Sequence, residues 1–384
     1  MNRNIKTIVV TLFVVSISSN TWFFLFPIFL KNLGASDKNV AFSYTILTFL
    51  ITSGQYIGGI FSDKWGRKPV ITYPTLIIGI LLFALSYSKH WTFAIIVMGI
   101  SHFISSFQMP AFTALIGESS EKEKGKIFGY TELAYFLGCA TGPLIGALLL
   151  TWFNLNIIMR LSSSLVFVAF ILRLLYLEET FHSEHQEINI KGIVNPLFIV
   201  FLAAGIFFYL MDATTVWGPF ITLHMKEFLK FNKRNINLLF SLGAFLQAIV
   251  SISAGRISDK IGHIKSMMLG MLGHSSLLLL WSFLSRGELT YILVPFSFMF
   301  IQFSYISYQV IINLITHKKI RGRAIGLFGT VAGLISSLGP MIGYWLKKNI
   351  SPQGPFIGAF AFAIISTIFL VILKNLTKEN IIGS

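Results

Sequence analysis

Cysteine is nearly absent from this 384-residue sequence, and charged residues are scarce. The single cysteine, Cys139, lies within an apolar run, so the sequence excludes a disulfide framework and a cysteine-based metal site. Only 12% of the residues are charged, whereas soluble domains carry about 25%. Hydrophobic residues make up 54% of the chain, which is more than one soluble core can bury. The composition therefore predicts a polytopic membrane protein.

The patterns of several enzyme classes are also missing. We find no HExxH metal pair, no aspartate dyad and no paired serine and histidine within the apolar runs, which argues against an intramembrane enzyme. The absence of a Walker A pattern argues against ATP as the energy source. The sequence thus predicts no enzyme activity, no metal and no cofactor.

Apolar runs of about 20 residues, the length that crosses a ~30 Å hydrocarbon layer, recur along the chain. Continuous runs predict helices and not a β-barrel. The opening Met1–Lys6 imitates a signal peptide, but the run continues to Leu30 without a small-residue cleavage site, so we predict a retained first span. The twelve predicted spans are 7–30, 39–61, 69–88, 92–117, 126–152, 156–177, 194–225, 236–257, 265–285, 289–316, 324–347 and 354–374.

Basic residues outnumber acidic ones, with 30 Lys and Arg against 15 Asp and Glu. If the first span starts inside, most basic residues fall in the loops on that side, apart from a basic outer loop at 226–234. This positive-inside bias predicts that both termini are cytoplasmic, and it explains the net charge without a nucleic-acid partner. The compact loops favour a multi-pass protein of the plasma membrane.

Three motifs recur at nearly one spacing and divide the chain into halves. Gly59, Asp63, Lys64 and Gly66 recur 196 positions later as Gly255, Asp259, Lys260 and Gly262. KGKIFG at 124–129 matches RGRAIG at 321–326, and GPLIG at 142–146 matches GPMIG at 339–343, both at a spacing of 197. We predict two six-helix bundles, 1–177 and 193–384, joined by a cytoplasmic linker at 178–192. Because six crossings return the chain to its starting side, the halves are parallel repeats, as in transporters that rock around a central site.

The first motif resembles the loop between helices two and three of the major facilitator superfamily. Its pattern, GxxxDxxGRK, stands at Gly59–Lys68 between two apolar spans. A second pattern, GxxxGPxxG at Gly138–Gly146, resembles the helix-five motif of the drug:proton antiporter branch. The resemblance covers nearly the whole chain. It implies an all-α polytopic membrane protein of twelve transmembrane helices in two six-helix parallel repeats, acting as a monomer.

The charges of the first motif are predicted to latch a cytoplasmic gate. Gly59 would admit a neighbouring helix, Asp63 would face a helix N-terminus, and Arg67 would pair with Glu118 at the end of span four. In the family, such contacts break when the two halves rock. The simpler alternative is that the basic residues only set the topology. The predicted gating residues are Gly59, Asp63, Gly66, Arg67, Lys68, Glu118, Gly255, Asp259 and Gly262.

The glycine motifs of spans five and eleven are predicted to bend or to pack these spans. The predicted helix-bend residues are Gly138, Gly142, Pro143, Gly146, Gly339, Pro340 and Gly343. They can form a small-residue packing face, and a Gly-Pro bend can also seal the outer vestibule. One residue departs from the antiporter branch, because Met98 stands where that branch usually has a span-four arginine.

Ionisable residues inside a membrane are functional candidates because an unpaired charge there is costly. The proton-coupling or substrate candidates are Asp212 in the outer half of span seven, Glu132 in span five and His102 near the middle of span four. A carboxyl group there can load a proton on one side and release it on the other. The alternatives are a salt bridge or cytoplasmic water for Glu132 and a hydrogen-bonded packing role for His102.

Polar and aromatic residues at helical spacings suit a cavity wall. Setting Pro219 against Pro27 pairs Asp212 with Asn20 across the two halves, and tryptophans flank both positions. The predicted cavity-lining residues are Asn20, Trp22, Trp217, Gln247, Gln302, Tyr305 and Gln309. Hydrogen bonding between helices is the alternative role for the polar members. An aromatic wall with one acid favours amphipathic or cationic organic substrates.

These features predict a secondary active transporter that works by alternating access and exports small organic or lipophilic compounds in exchange for protons. One alternative is a proton-coupled uptake permease for a small metabolite, and another is a membrane sensor that does not transport. The expected partners are a small-molecule substrate, protons and the lipid bilayer.

Overall fold

In the computed structural model, every regular element is a helix among the described residues, which are 2–118, 124–180, 195–284, 287–316 and 321–382. In chain order the α-helices are α1 Arg3–Asn20, α2 Phe26–Asn32, α3 Asp37–Trp65, α4 Arg67–Leu85, α5 Trp91–Ser106, α6 Gln108–Glu118, α7 Lys124–Leu149, α8 Leu155–Tyr176, α9 Pro196–Thr214, α10 Phe220–Leu223, α11 Lys233–Ile261, α12 His263–Ser282, α13 Gly287–Ile315, α14 Arg321–Ser336, α15 Gly339–Asn349 and α16 Gly354–Ile382. Short 3₁₀ and π segments follow α1 and α10.

Within those residues, eleven helical stretches are long and apolar enough to cross a membrane. A twelfth is α11, which bends by 54° at residue 252 and counts as a single broken span. The predicted all-helical fold of twelve transmembrane spans in two repeats is confirmed.

Polar side chains mark where several spans begin. Ser36, Asn154 and Asn195 stand immediately before α3, α8 and α9, and each side chain accepts a hydrogen bond from a backbone N–H in the first turn. Such caps satisfy amide groups that have no partner within the helix. The sequence thus sets the start of these spans through short polar residues between apolar runs.

Spans one and seven, which occupy corresponding places in the two repeats, are both interrupted. In span one, α1 ends at Asn20 and α2 begins at Phe26, with Pro27 in its first turn. In span seven, α9 ends at Thr214 and α10 begins at Phe220, directly after Pro219. Proline lacks the N–H group of a helical hydrogen bond and therefore favours a kink or a break in a helix. The predicted span 194–225 is therefore divided.

The chain forms two compact units. One contains residues of 1–185 and 230–242, and the other contains residues of 186–229 and 243–384. The predicted bundle boundaries at 177 and 193 remain predictions, and residues 181–192 of the predicted linker lie outside the described residues. Its first residues, 178–180, are bonded into the first unit, where Glu178 forms an ion pair with Arg3.

Within the first unit, α1 packs on α7 and α8, α4 packs on α8, and α3 packs on α5. Its core joins apolar residues of α1, α4 and α6, among them Ile8, Ile71 and Leu115. Within the second unit, α12 packs on α13, and α9 packs on α16 and α14. Its core is aromatic, with Phe201 and Phe328 fully buried beside Tyr308.

Candidate functional site

The turn between α3 and α4 carries the first motif. Gly66 joins the two helices with a φ of +96°, a conformation that only glycine adopts readily. Arg67 follows as the first residue of α4, and its Nη1 donates to Asp63 Oδ1 at 2.8 Å and to the Ser62 carbonyl at 2.7 Å. Its Nη2 and Nε donate to Glu118 Oε1 at 2.9 and 3.1 Å. The predicted contact between Arg67 and Glu118 is present, and its role in gating remains a prediction.

Glu179 completes this group, and sequence reasoning placed it in the linker without a role. Its Oε1 accepts from the Arg67 backbone N–H at 2.9 Å, and its Oε2 accepts from the Lys68 N–H at 3.1 Å. The carboxylate thereby caps the N-terminus of α4, where negative charge is favourable. The only signal in the sequence was an acidic pair directly after span six. We call Ser62, Asp63, Arg67, Glu118 and Glu179 the Arg67 cluster.

The predicted role of Gly59 in close helix packing is wrong for this conformation. Among the described residues, no heavy atom lies within 4 Å of the position that a Cβ on Gly59 would take, and the same is true of Gly255. Close packing instead occurs at Gly54, against Phe103 and Ser106, and at Gly58, against the Phe107 backbone. Gly54 and Gly58 share a helix face because they are four residues apart, whereas Gly59 is rotated by about 100° from Gly58.

The second copy of the motif has a histidine in place of the arginine. Gly262 again joins two helices with a φ of +89°. His263 takes the position of Arg67, and its Nδ1 lies 2.8 Å from Ser258 Oγ, where Arg67 contacts Ser62 in the first copy. Asp259 is exposed and has no ion pair within the described part of the chain.

The glycine motifs pack each span against the broken span of its own unit. A Cβ added to Gly138, Gly142 or Gly146 would meet atoms of Ser16, Asn20 or Thr21, respectively. In the second unit, a Cβ on Gly339 would lie 3.0 Å from Ala213, and one on Gly343 would meet Thr214 and Phe220. These contacts support the small-residue packing role. Pro143 lies inside the continuous α7, whereas Pro340 lies in the first turn of α15, after a break in span eleven.

Asp212 lies in the last turn of α9 and is 7% exposed. Its Oδ2 accepts a hydrogen bond of 2.7 Å from the Tyr305 hydroxyl of α13. The same hydroxyl accepts from Trp217 Nε1 at 3.3 Å, and Trp217 is 43% exposed. A chain of hydrogen bonds therefore links an exposed indole to a buried carboxyl group. Asp212 Oδ1 is buried and has no hydrogen-bond partner among the described residues.

The three predicted polar residues on α13 differ in their surroundings. Gln302 is buried, and its Oε1 also has no hydrogen-bond partner in the described part of the chain. Tyr305 is half-buried at Asp212, and Gln309 is exposed. Gln247 of α11 is half-buried. The structure thus brings Tyr305 and Trp217 to Asp212 and leaves Gln309 on a surface.

In the first unit, Asn20 and Trp22 are the candidates that correspond to the Asp212 region, and both are buried. Asn20 is the last residue of α1, and its Nδ2 donates to the Ser16 carbonyl at 2.8 Å and to Cys139 Sγ at 3.5 Å. Trp22 is 3% exposed and packs edge-on against Phe26. Both side chains therefore stabilise the break in span one and do not line an open surface in this conformation.

The other two ionisable candidates stand apart from Asp212 in sequence and in contacts. His102 Nδ1 lies 3.1 Å from the Met98 carbonyl of its own helix, which agrees with the hydrogen-bonded packing role. Glu132 is exposed on α7. Within the described residues, no group of three or more His, Cys, Asp or Glu side chains could hold a metal ion.

Sequence reasoning also missed a buried cation. Arg173 of α8 is 1% exposed and has no acidic partner within hydrogen-bonding distance in the part of the chain that the structure describes. It donates to the Thr11 and Thr75 hydroxyls and to Gln108 Oε1, and its guanidinium lies 4.9 Å from the Phe112 ring centroid. Arg173 thereby joins α1, α4, α6 and α8.

Comparison with known proteins identifies the family. The family profile described as Major Facilitator Superfamily matches residues 8–220 and 202–382. The multi-drug resistance efflux pump PmrA of Streptococcus pneumoniae is 27% identical over 253 residues, and this match spans only 62% of each chain. The multidrug resistance protein MdtG of Salmonella arizonae is 24% identical over 67% of each chain. The uncharacterized MFS-type transporter MJ1317 of Methanocaldococcus jannaschii is 22% identical over 97% of this chain and 95% of that one.

Solved structures share the fold. The nucleoside transporter NupG superposes with a TM-score of 0.77 at 14% identity, over 98% of this chain and 100% of that one. The peptide transporter POT in complex with sulfate superposes with a TM-score of 0.79 at 13% identity, over 99% and 95%. At these identities the likeness shows the fold alone. The chain therefore belongs to the Major Facilitator Superfamily and is a multi-pass membrane protein.

Proposed function

We propose that this transporter exports small organic compounds, amphipathic or cationic in character, in exchange for protons. Two relatives with multidrug resistance or efflux in their names support the export of organic compounds. The proposed proton coupling rests on the environment of Asp212. Its carboxyl group is buried, and only one of its two oxygens has a hydrogen-bond partner among the described residues.

Two buried atoms near Tyr305 have no hydrogen-bond partner among the described residues, and both are acceptors. Asp212 Oδ1 is one, and Gln302 Oε1, on the next turn of α13 from Tyr305, is the other. A buried acceptor without a donor is costly, and a buried carboxylate is more so. Two kinds of partner can supply a donor here, namely a proton on the carboxyl group or an N–H group of a substrate.

Competition between these two partners produces antiport. When a cationic substrate binds, Asp212 is stabilised as the carboxylate and releases its proton. When the substrate leaves, the carboxylate is again unpaired in a medium of low dielectric constant and takes up a proton. The exposed face of Trp217 offers an aromatic surface to the organic part of the substrate. Glu132 and His102 are secondary candidates for the proton site.

The Arg67 cluster is the proposed gate. Its ion pairs join α4 to the ends of α3 and α6, and a backbone hydrogen bond joins α4 to Glu179 just after α8. Motion of the gate must break or form such contacts. The membrane setting that we propose is the plasma membrane, with both termini in the cytoplasm and a functional monomer. The boundaries of the moving bundles are proposed at 177 and 193.

The test is flux in reconstituted liposomes, with and without an imposed pH gradient. Labelled lipophilic cations and common metabolites would be compared for the wild type, Asp212→Asn and the control Glu288→Gln, which changes an exposed carboxyl group at the start of α13. We expect the gradient to drive uphill movement in the wild type and the control, and Asp212→Asn to retain only downhill exchange.

The direction of proton flow distinguishes export from uptake. Counterflow of protons and substrate supports the proposed export, and flow in the same direction identifies an uptake permease. Flux that is indifferent to both the gradient and the substitution would show that Asp212 is not the coupling residue.

A further inference from the structure

A second buried ionisable side chain of the second unit contacts the break in span seven. His274 of α12 has no exposed surface. Its Nδ1 lies 2.9 Å from the Ser297 carbonyl oxygen, and its Nε2 lies 3.3 Å from Thr215 Oγ1. The ring meets Phe298 edge-on, with 6.3 Å between the ring centroids. Neither the sequence motifs nor the proposed coupling at Asp212 uses this histidine.

The positions of the hydrogens around His274 follow from its partners. A carbonyl oxygen can only accept, so His274 Nδ1 carries a hydrogen and donates it to Ser297. A neutral imidazole has one N–H group, so in that form Nε2 is an acceptor. The Thr215 hydroxyl has one hydrogen and two acceptors within reach, His274 Nε2 and the Met211 carbonyl at 2.8 Å. It cannot donate to both at once.

Protonation of the ring removes this conflict. An imidazolium donates from Nε2 to Thr215 Oγ1, and the hydroxyl then donates to the Met211 carbonyl. All three hydrogen bonds around the site are made only in this form. In the neutral form, a hydroxyl that turns to Nε2 leaves the Met211 carbonyl with the Thr215 backbone N–H alone, at 3.1 Å.

Thr215 stands at the end of α9. It is the residue that follows the helix, with φ −113° and ψ −86°, and its N–H bonds the carbonyls of both Met211 and Asp212. The chain turns so tightly here that a Cβ on Gly218 would collide with the Ala213 carbonyl. The Thr215 hydroxyl therefore contacts the last turn of α9, which contains Asp212.

We propose that His274 is a positioning residue for transport. Its protonation determines how the Thr215 hydroxyl bonds the end of α9. Hydronium gives a proton to the Nε2 lone pair and becomes water, the new N–H donates to Thr215 Oγ1, and the Thr215 hydrogen turns to the Met211 carbonyl. Loss of the proton reverses these steps without any change in bonds between heavier atoms. The role in transport rests on the proposed proton-coupled function.

No charged side chain among the described residues sets the protonation of His274 directly, so the proposed proton uptake depends on the hydrogen bonds of the ring. The described titratable side chains on the elements that contact α12 include Tyr209 and Asp212 of α9, Glu288, Tyr291, Tyr305 and Tyr308 of α13, Lys374 of α16, and His224, Lys226 and Glu227 of the π segment after α10, whose His224 ring meets Trp281 of α12. None of them contacts the His274 ring. Asp212 is the carboxyl group nearest to Thr215 in the chain, three residues before it.

The first experiment observes the ring directly, without transport. The nitrogen-15 resonances of His274 would be followed against pH in labelled protein in lipid nanodiscs. We expect the Nδ1–H tautomer at high pH, and an imidazolium as the pH falls. Thr215→Val removes the acceptor for Nε2–H and is expected to leave about tenfold less imidazolium relative to neutral ring at each pH, while Thr215→Ser restores it. An Nε2–H tautomer, or equal titration in Thr215→Val, would overturn the proposal.

The second experiment measures transport against pH in liposomes for the wild type, His274→Asn, Thr215→Val and the control His224→Asn. Asparagine at 274 retains a donor for Ser297 but cannot titrate. His224 is a suitable control because it is also a buried histidine, which packs among Phe228, Trp281 and Phe356. We expect His274→Asn and Thr215→Val to change the shape of the pH profile, and His224→Asn to keep that of the wild type.

The outcomes separate this inference from the proposed function. If Asp212→Asn uncouples transport while His274→Asn keeps the wild-type pH profile, the proposed function stands and the role of His274 is overturned. If the wild type shows no coupling to protons, the proposed function fails, and the resonance titration still decides whether His274 and Thr215 exchange the proton as described.

Discussion

The Arg67 guanidinium meets the Glu118 carboxylate at 2.9 Å, although 51 positions separate the two residues in the chain. Arg67 is 8% exposed and also bonds Asp63, Ser62 and, through its backbone, Glu179. One cation thus gathers three acids at the turn between α3 and α4. In a chain with 15 acidic residues in total, this concentration supports a dedicated role for the Arg67 cluster.

The pair of Arg67 and Glu118 is expected to act as one unit. Arg67→Ala and Glu118→Ala should each slow transport, and the double variant should be little worse than the more damaging single one. A coupling free energy of about 1–3 kcal/mol is expected, as for residues in direct contact. Initial transport rates for the four members of the cycle would measure it. Lys64→Ala, in the same turn but exposed, is the control, and strict additivity would argue against a single latch.

Glu179 is expected to matter more than its neighbour Glu178. Glu179→Ala removes the cap of α4 and should lower the free energy of unfolding by about 1 kcal/mol. Glu178→Ala removes only an exposed ion pair with Arg3 and should have a much smaller effect. Thermal unfolding of the purified proteins would compare the two. Equal effects would show that the contacts of Glu179 with Arg67 and Lys68 are not stabilising.

Asp63→Asn is expected to slow transport and to leave substrate affinity nearly intact. The Asp63 side chain is 76% exposed and pairs with Arg67 at 2.8 Å, so it belongs to the gate and not to the substrate site. Substrate binding and transport rate would be measured separately for the same preparation. A large loss of affinity with an unchanged maximal rate would contradict the latch.

Two glycines are expected to differ in their tolerance of a methyl group. Gly146→Ala would press a Cβ onto the Thr21 carbonyl, and overpacking of this kind costs about 1–3 kcal/mol. Gly59→Ala meets no atom and lies within α3, where alanine favours the helix by roughly 0.5–1 kcal/mol. Thermal stability would rank the wild type between them. If Gly59→Ala keeps its stability but loses transport, Gly59 packs closely in another state of the cycle.

The interruptions of spans one and seven show which features of the site could be predicted from the sequence. Pro27 and Pro219 mark the breaks in spans one and seven, because proline lacks the N–H group of a helical hydrogen bond and favours a kink or a break. Setting Pro219 against Pro27 paired Asp212 with Asn20, and the helices before the two breaks end at Thr214 and Asn20. The partner of Asp212 required more, because Tyr305 lies 93 positions away and was one of several polar residues on span ten.

Errors in the prediction arose where packing, and not pattern, assigns the role. Gly59 is part of the repeated motif, yet Gly54 and Gly58 make the close contacts in this conformation. Trp22 is buried against Phe26 in this conformation, and its place in a cavity wall remains a prediction. A motif identifies residue types at a spacing, whereas the rotation of a helix about its axis decides which of them meet a neighbour.

The sequence by itself determined that the chain resides in a membrane, crosses it twelve times and repeats after six crossings. These properties follow from the length of apolar runs and from spacing along the chain, both of which are one-dimensional. Only the tertiary structure decided that Glu179 joins Glu118 at Arg67, that Tyr305 bonds Asp212, and that His274 reaches Thr215. The physical reason is that hydrogen bonds and ion pairs act over a few ångströms, so their partners are chosen by how helices distant in sequence pack and rotate against each other.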